Sequence, residues 1–452
     1  MRIGMALLVI TDLCIRVGDL TAHYTDAGIW PTELIHNFGW NFGYWSLHSL
    51  DGSYSLEATL FTLHFIFAIF LLIGYKTKLF TLLVWLFTIS LHNRNLFILQ
   101  AGDDLLRLIL LWGIFLPWNA FYSLDKKNSN SRTRQNTFAN VGYLLLLASV
   151  YFFSANLKYG AQWSDGSAVY YALSLEQLRL PIGSVLYHFP ALLKLLTWFV
   201  LYGEYIIFLL ILLPSKKGMT RLVAFILLIL LHLGIGLTLY VGLFFMIGIV
   251  SGIGLLPSKT MDRLEKSVRI RGRVTFIYKR GSSFLRLAGN CICVVLIFLC
   301  ILVNLATVTW FPMELRDELA YTSNVLRLNQ YWGMFSPDVL KKDGWYVYHG
   351  MDSIGRQWDV RRNTDHVSYK KNQRIVSMYK NDRWRKLAEN MQVDCYTFLR
   401  PLYCKYILHN WNKRHPGKQL FSLRVIFMEK ENLPDYTSTA PVKTSHCTCY
   451  DH

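Results

Sequence analysis

Nine apolar stretches, separated by loops whose basic content alternates between high and low, constrain this chain more than any other feature. A hydrocarbon core about 30 Å thick is crossed by roughly 17 to 25 apolar residues in a helix. Stretches that approach this length occupy residues 3–22, 56–74, 76–92, 104–122, 138–155, 190–213, 220–239, 241–256 and 286–309, the third being short and ending at His92. In lipid each backbone polar group must be satisfied within its own segment, so every stretch is read as a helix. With 53% hydrophobic and 17% charged residues among 452, a water-soluble globule is a poor reading. The expected fold is an α-helical polytopic membrane protein of about nine transmembrane helices over residues 1–310, with a small extracytoplasmic α+β domain over 311–452.

The loops set an orientation. Lys and Arg concentrate in cytoplasmic loops. The connections 75–78, 124–136, 214–221 and 257–287 hold 2, 4, 3 and 9 of them, whereas 23–54, 93–103, 156–189 and 236–242 hold 0, 1, 2 and 0. This alternation predicts a cytoplasmic N-terminus and an outside C-terminus. Gly234, Gly236 and Gly242 leave open whether 220–256 is two spans joined by a tight turn or one interrupted span. The first stretch contains Asp12 and Arg16 and is followed by no small-residue cleavage pattern, so it is read as a retained helix. The net charge of +18 is spread over loops without interleaved aromatics, which argues against nucleic acid as a partner and leaves the bilayer as the first one.

Ionisable residues at membrane depth pair with one another or line a site. Asp12 and Arg16 are four apart on one helix face, and an ion pair that fixes packing is the simplest role. His92, Asn93, Arg94 and Asn95, with Gln100, Asp103 and Asp104, form a polar cluster where the third and fourth helices meet their outer loop. Arg107 is one turn from either aspartate, and Asp103 is placed to cap a helix. Lys158 ends an apolar run and precedes Trp163 by five residues. It either snorkels to the interface or is partly desolvated, in which case its neutral amine serves as base or nucleophile. His232 is mid-segment, where a histidine bonded to a carbonyl is the plain reading. Glu204, between Tyr202 and Tyr205, needs a partner or a proton.

Together these phrases resemble the HTTM domain, the fold shared by bacterial proteins of that name and vitamin K-dependent gamma-glutamyl carboxylase. The resemblance covers roughly residues 1–310. It rests on Arg2, Ile3 and Gly4 with Asp12; on Tyr24, Thr25 and Asp26; and on Asn93, Arg94 and Asn95 with Gly102 and Asp103. Phe115, Leu116 and Pro117 with Ser123 and Asp125, Ala155 to Lys158 with Trp163, and His232 with Leu255 to Pro257 complete it. The resemblance implies an integral protein of a bacterial inner membrane with a lyase-type carboxylase and epoxidase chemistry. Lys158 would deprotonate vitamin K hydroquinone or another quinol, oxygen would turn this into a strongly basic alkoxide, and a glutamate γ proton would be removed before CO2 adds. It implies that Lys158 and His232 are catalytic and line one cavity open to the outer leaflet. His92, Asn93, Arg94, Asn95, Trp163 and Glu204 would bind substrate. A peptide or protein would be carboxylated on the outer side. The competing reading is a non-catalytic membrane protein whose outer domain binds a periplasmic or extracellular partner. A transporter is disfavoured, since the halves show no repeated broken-helix pattern.

After Trp310 the pattern changes to short aromatic and β-branched runs divided by Asp, Gly and Asn, as at 345–348 and 358–360, which read as hairpins. Residues 383–411 have helical spacing through Leu387, Met391, Phe398 and Leu402. Residues 329–337 resemble the W-x-M-F-x-P segment that follows many bacterial HTTM domains, and should pack the new domain against the membrane's outer face. Cys395, Cys404, Cys447 and Cys449 lie on this side, and their even number permits disulfides without fixing the pairing. His446, Cys447, Cys449 and His452 are a weak metal pattern, and no metal is expected.

Overall fold

The computed structural model describes residues 1–120, 122–125, 137–215, 217–267 and 283–451. Most of the basic loop 124–136 and the middle of 257–287 fall outside these residues, as does His452.

Each apolar stretch coincides with a helix among the described residues: α1 (Arg2–Val17), α2 (Tyr54–Ile73), α3 (Thr77–Arg94), α4 (Ala101–Phe115), α5 (Phe138–Leu157), α6 (Pro190–Leu212), α7 (Met219–Thr238), α8 (Phe244–Gly252) and α9 (Ser283–Leu305). Five of these, α2, α5, α6, α7 and α9 (the last over Leu287–Leu305), are long and apolar enough to cross a membrane. Their outward faces suit lipid. On α6 the residues Leu195, Phe199, Tyr202, Ile206 and Leu209 recur at three- and four-residue intervals and are all exposed. An apolar stripe of that length in contact with water would be an aggregation liability, whereas in hydrocarbon it needs no cover.

The segment 220–256 resolves into two helices. Gly242 takes a positive φ of 57° in the turn between them, a conformation that favours glycine, while Gly234 and Gly236 lie inside α7. Even with the 3-10 turn Ile253–Leu255 that follows it, α8 extends only about 18 Å at 1.5 Å per residue. The chain then bends by 113° into the helix that begins at Ser258.

The C-terminal part is mixed, as its alternating pattern predicts. Strands β1 (Lys342–Met351), β2 (Gln357–Asp359), β3 (Ser422–Glu431) and β4 (Val442–Tyr450) form an antiparallel sheet in the order β2-β1-β3-β4. The first hairpin turns through Asp352 to Gly355, where Asp352 Oδ1 accepts from Ile354 N and Arg356 N. The helical run divides into α10 (Asp382–Asn390) and α11 (Leu399–Arg414). A disulfide joins Cys404 of α11 to Cys449 of β4, which removes Cys449 as a thiolate ligand. Cys447 bonds the carbonyl of Arg400 instead, and Cys395 is free and exposed.

Asp343 of β1 is fully buried and accepts from Glu176 N at 2.9 Å, with the Lys430 ammonium 3.8 Å away. Burial pushes its carboxyl up to about 6, against that hydrogen bond and the Lys430 charge. A carboxyl raised in the folded state holds its proton more tightly there than in the unfolded chain. Its stabilising contribution is therefore complete below the ordinary carboxylate range near pH 4 and is lost as pH rises through about 6. The shift corresponds to about 3 kcal/mol. Asp343→Asn, neutral throughout, should reduce the fall in thermal stability between about pH 5 and pH 8, measured by the unfolding midpoint of the full chain.

Candidate functional site

Two buried polar constellations lie where helix ends meet the C-terminal domain. The first begins with Asp12 and Arg16, one turn apart on α1. Arg16 donates to Asp12 Oδ2 through Nε, to Asp103 Oδ1 through Nη2 and to the Tyr24 hydroxyl through Nη1, each at 2.7 Å. Two carboxylates against one guanidinium leave a buried negative charge. Arg383 of α10 supplies the balancing cation. Its Nη2 donates to Asp12 Oδ1 and Asp103 Oδ1 at 2.7 Å, and its Nη1 to Asp103 Oδ2 and to the Ile98 carbonyl. Asp103 also accepts from Gln100 N at 2.8 Å, so it caps α4 as predicted while holding both arginines.

Asp12, His92 and Asp103 stand close enough to gather around a metal ion. Every carboxylate oxygen there already accepts from a guanidinium. A metal would have to displace Arg16 or Arg383, so the donor set does not fit one.

The residues His92 to Asn95 work as stitching. His92 Nδ1 faces Arg107 Nη1 at 3.1 Å, and Arg107 bonds Asp104 and the carbonyls of Arg327 and Asn329. Asn93 bonds the Trp45 carbonyl and Arg327 Nε, Arg94 the Trp30 carbonyl, and Asn95 the His23 carbonyl. All four are buried and none lines the cavity described next.

The second constellation is built on the end of α5. Lys158 leaves helical geometry at φ −88°, ψ 56°, and its side chain curls back over the last turn to the Ser154 carbonyl at 3.1 Å. A cation there also suits the negative end of the helix dipole. Its Nζ donates to Glu204 of α6 at 3.0 Å (Oε1) and 2.8 Å (Oε2), and to Ser154 Oγ, which itself donates to Glu204 Oε1 at 3.0 Å. Trp163, on the short helix Ala161–Asp165, presents its ring 5.3 Å from the ammonium, within cation–π range. Residues 335–339 hold this corner in place. Trp163 Nε1 donates to the Phe335 carbonyl, Gly160 N to the Pro337 carbonyl, and Gln162 bonds Val339 N and O.

Lys158, Glu204 and Trp163 form part of the wall of a cavity of about 930 Å³. One side is apolar, from Phe199 and Val200 of α6 and Leu230, Leu231 and Ile235 of α7. The other is polar, with Arg327 and with Arg385, Lys386 and Glu389 of α10. Sites for drug-sized ligands commonly span about 300 to 1,000 Å³, so a sizeable amphipathic molecule fits.

His232 is not on this wall. Its Nε2 meets the Tyr151 hydroxyl at 3.1 Å, and its ring fills the space above Gly248, where a Cβ would come within 2.2 Å of it. The ring packs 5.2 Å from that of Phe244, which does line the cavity, so His232 sits one layer behind. The expectation that it shares a cavity with Lys158 is corrected accordingly: α8 approaches α7 closely at Gly248 and shields the imidazole.

Sequence reasoning missed Arg383. Its only signal was electrostatic, three carboxylates (Asp12, Asp103 and Asp104) against Arg16 and Arg107, and nothing local points to a partner 371 residues from Asp12.

The fold and these constellations define a largely helical protein with apolar helices suited to a bilayer, a buried lysine–glutamate pair on an amphipathic cavity, and a docked α+β domain. No family model, curated protein or solved structure matches the chain.

Arg383→Met should leave Asp12 and Asp103 sharing one cation at a buried site, at a cost of about 3 to 5 kcal/mol. The expected result is a lower unfolding midpoint, together with faster proteolytic release of the C-terminal domain at a concentration of protease that leaves the unaltered chain intact.

Proposed function

We propose that this protein is a membrane enzyme of the HTTM and gamma-carboxylase kind, in which Lys158 is the base for a quinol-like apolar substrate held in the cavity. The observation that supports the reading is a buried lysine whose amine borders a cavity with an apolar flank on α6 and α7 and a polar flank on the C-terminal domain. A soluble protein has little use for so large an apolar pocket beside helices that expose leucine and isoleucine outward. A lipid-dissolved substrate gives both features one purpose.

The lining fits vitamin K hydroquinone or another quinol in volume and polarity. Such a group, when bound, supplies an acidic hydroxyl and the oxygen-dependent strong base that the family's carboxylation uses. The chain's own contribution is the rest. Lys158 takes the hydroxyl proton, Glu204 and Ser154 fix the position of its amine, Trp163 closes the wall beside it, and the apolar flank excludes water. A peptide or protein substrate would reach the cavity from the polar side, past Lys386 and Tyr396. His232 acts, in this reading, only through Tyr151 and Phe244.

The topology that goes with it has nine crossings, a cytoplasmic N-terminus, and the C-terminal domain on the outer side of a bacterial inner membrane. Loop charge is its support, and α8 is its thinnest crossing. Exposed Cys395 offers a direct check. In intact spheroplasts a membrane-impermeant maleimide should label Cys395 without lysis, and a Cys395→Ser chain should lose that label. Labelling only after lysis would put the domain in the cytoplasm.

The catalytic reading is tested by hydroquinone epoxidation in nanodiscs containing the purified chain. The expected outcome is turnover that falls by about a hundredfold or more in Lys158→Ala, the scale of a lost general base. Equal rates for both proteins would leave the non-catalytic alternative standing, with an outer domain that binds a partner.

A further inference from the structure

Eight charged residues line the cavity, and six of them have an opposite charge beside them. Lys158 pairs with Glu204, Asp104 with Arg107, and Glu389 with both Arg385 and Lys386. The other two are Asp338, which is half-buried and accepts from Gln162 N, and Arg327. Arg327 is only 7% exposed, yet among the described residues no carboxylate forms an ion pair with its guanidinium. Its partners are neutral: Nε donates to Asn93 Oδ1 at 2.7 Å, Nη1 to the Tyr44 hydroxyl at 2.8 Å, and the Tyr44 ring lies 4.5 Å away. Burial first and the Arg107 charge second lower its pKa to about 10, so it remains cationic at neutral pH.

A cation withdrawn from water needs a counter-charge, and neutral oxygens with one ring face supply only part of it. Arg327 lies on the cavity wall, so the missing charge can arrive with a ligand. We propose that the cavity binds an anionic amphiphile, a single hydrocarbon chain ending in a carboxylate or phosphate, with its head on Arg327 and its chain along α6 and α7. A guanidinium has five N–H donors, and Asn93 and Tyr44 take one each from Nε and Nη1. One donor on Nη1 and both on Nη2 remain, and these two nitrogens form the end edge of the fork. That edge grips a carboxylate or phosphate through two parallel hydrogen bonds.

The apolar flank suits the chain of such a molecule. Phe199 of α6 and Leu230 of α7 line the cavity and are also exposed on the outward faces of their helices. Gly234, one turn from Leu230, lines it too, and a Cβ there would meet nothing within 4 Å. The flank is therefore continuous with the surface suited to lipid, and a chain dissolved in the bilayer reaches the cavity without crossing water. A neutral quinol would leave Arg327 without a counter-charge. The inference thus goes beyond the reading of Lys158 as a base, and it needs no catalytic role for that residue.

Binding is measured by native mass spectrometry of the purified full chain in a neutral detergent. The probes are oleate, oleoyl lysophosphatidic acid, monoolein as the same chain with an uncharged head, and inorganic phosphate as a head without a chain. At least one of the two anionic lipids should bind about tenfold or more tightly than monoolein, the scale of a hydrogen-bonded charge pair, and the tighter of them names the head. In Arg327→Gln this preference should fall to about threefold or less. Lys194→Gln, which removes an exposed charge of α6 outside the cavity, should keep the preference and so exclude the overall positive charge as its source. Equal binding of monoolein and both anions, a preference intact in Arg327→Gln or lost in Lys194→Gln, or phosphate bound as tightly as the lipids would each overturn the proposal. If the glutamine variant does not fold, a diazirine placed on the oleate chain decides with the unaltered protein. It should label the cavity-lining peptides of α6 and α7, and oleate should compete the label away at about a tenth of the monoolein concentration needed. Equal competition by the two would defeat the assignment. No quinol enters these measurements, so a failed epoxidation assay leaves them standing.

Discussion

The burial of charge in an apolar helical bundle is the constraint from which the rest of this structure follows. Moving an ion out of water costs several kcal/mol even after relaxation, so each buried charge must recruit a partner and saturate its hydrogen bonds. Asp12, Arg16, Asp103 and Arg383 meet this demand as two carboxylates and two guanidiniums, with Tyr24, Ile98 and Gln100 satisfying what remains. Because one of the four comes from α10, the electrostatic balance of α1 and α4 is incomplete without the C-terminal domain. Docking of that domain therefore completes a charge balance, and buried Trp332 and Leu328 belong to an apolar cluster shared by the helices and the domain.

The position has a chemical consequence. Asn381 caps α10 by accepting from the backbone N–H groups of Arg383 and Trp384, and its side-chain amide donates to Asp19. With its first turn fixed in this way, α10 directs Arg385, Lys386 and Glu389 to the cavity that Lys158 borders on the other side. The ion network and the cavity are thus one assembly: the first sets where the polar flank of the second lies. The same helix could not serve both ends if its N-terminus were free to fray.

How much of this was legible in the sequence depended on the range of the interaction. Local periodicity located the apolar segments that became α1 to α9, and the one-turn spacing of Asp12 and Arg16 announced their pair. Hairpins at 345–360 followed from alternating aromatics and the turn residues from Asp352 to Gly355. Segment 241–256 was harder, because nothing in an apolar run distinguishes a full crossing from a helix of nine residues followed by a tight turn. His92 to Asn95 were legible as a polar cluster but not as to purpose. Their partners are carbonyls of Trp30, Trp45 and His23, and a backbone carbonyl leaves no mark in a sequence.

Glu204 is the instructive intermediate case. It was recognised as a buried carboxyl in need of a partner or a proton, and Lys158 as a cation on a side where cations are scarce, yet the two were not joined. Scarcity was the available clue: only Arg94, Lys158 and Arg179 occupy the sparsely charged loops, although each has an acid nearer in sequence than Glu204. Charge conservation within a low-dielectric region is a stronger guide than spacing, because it acts across any separation along the chain. Applied to Glu204 it narrows the choice to three cations, and applied to Asp12 with Asp103 it demands one more without saying which. The difference between the two cases is the number of candidates, three in the membrane loops and many in the basic C-terminal domain, and that number is what decides when a long-range ion pair can be read before a fold is known.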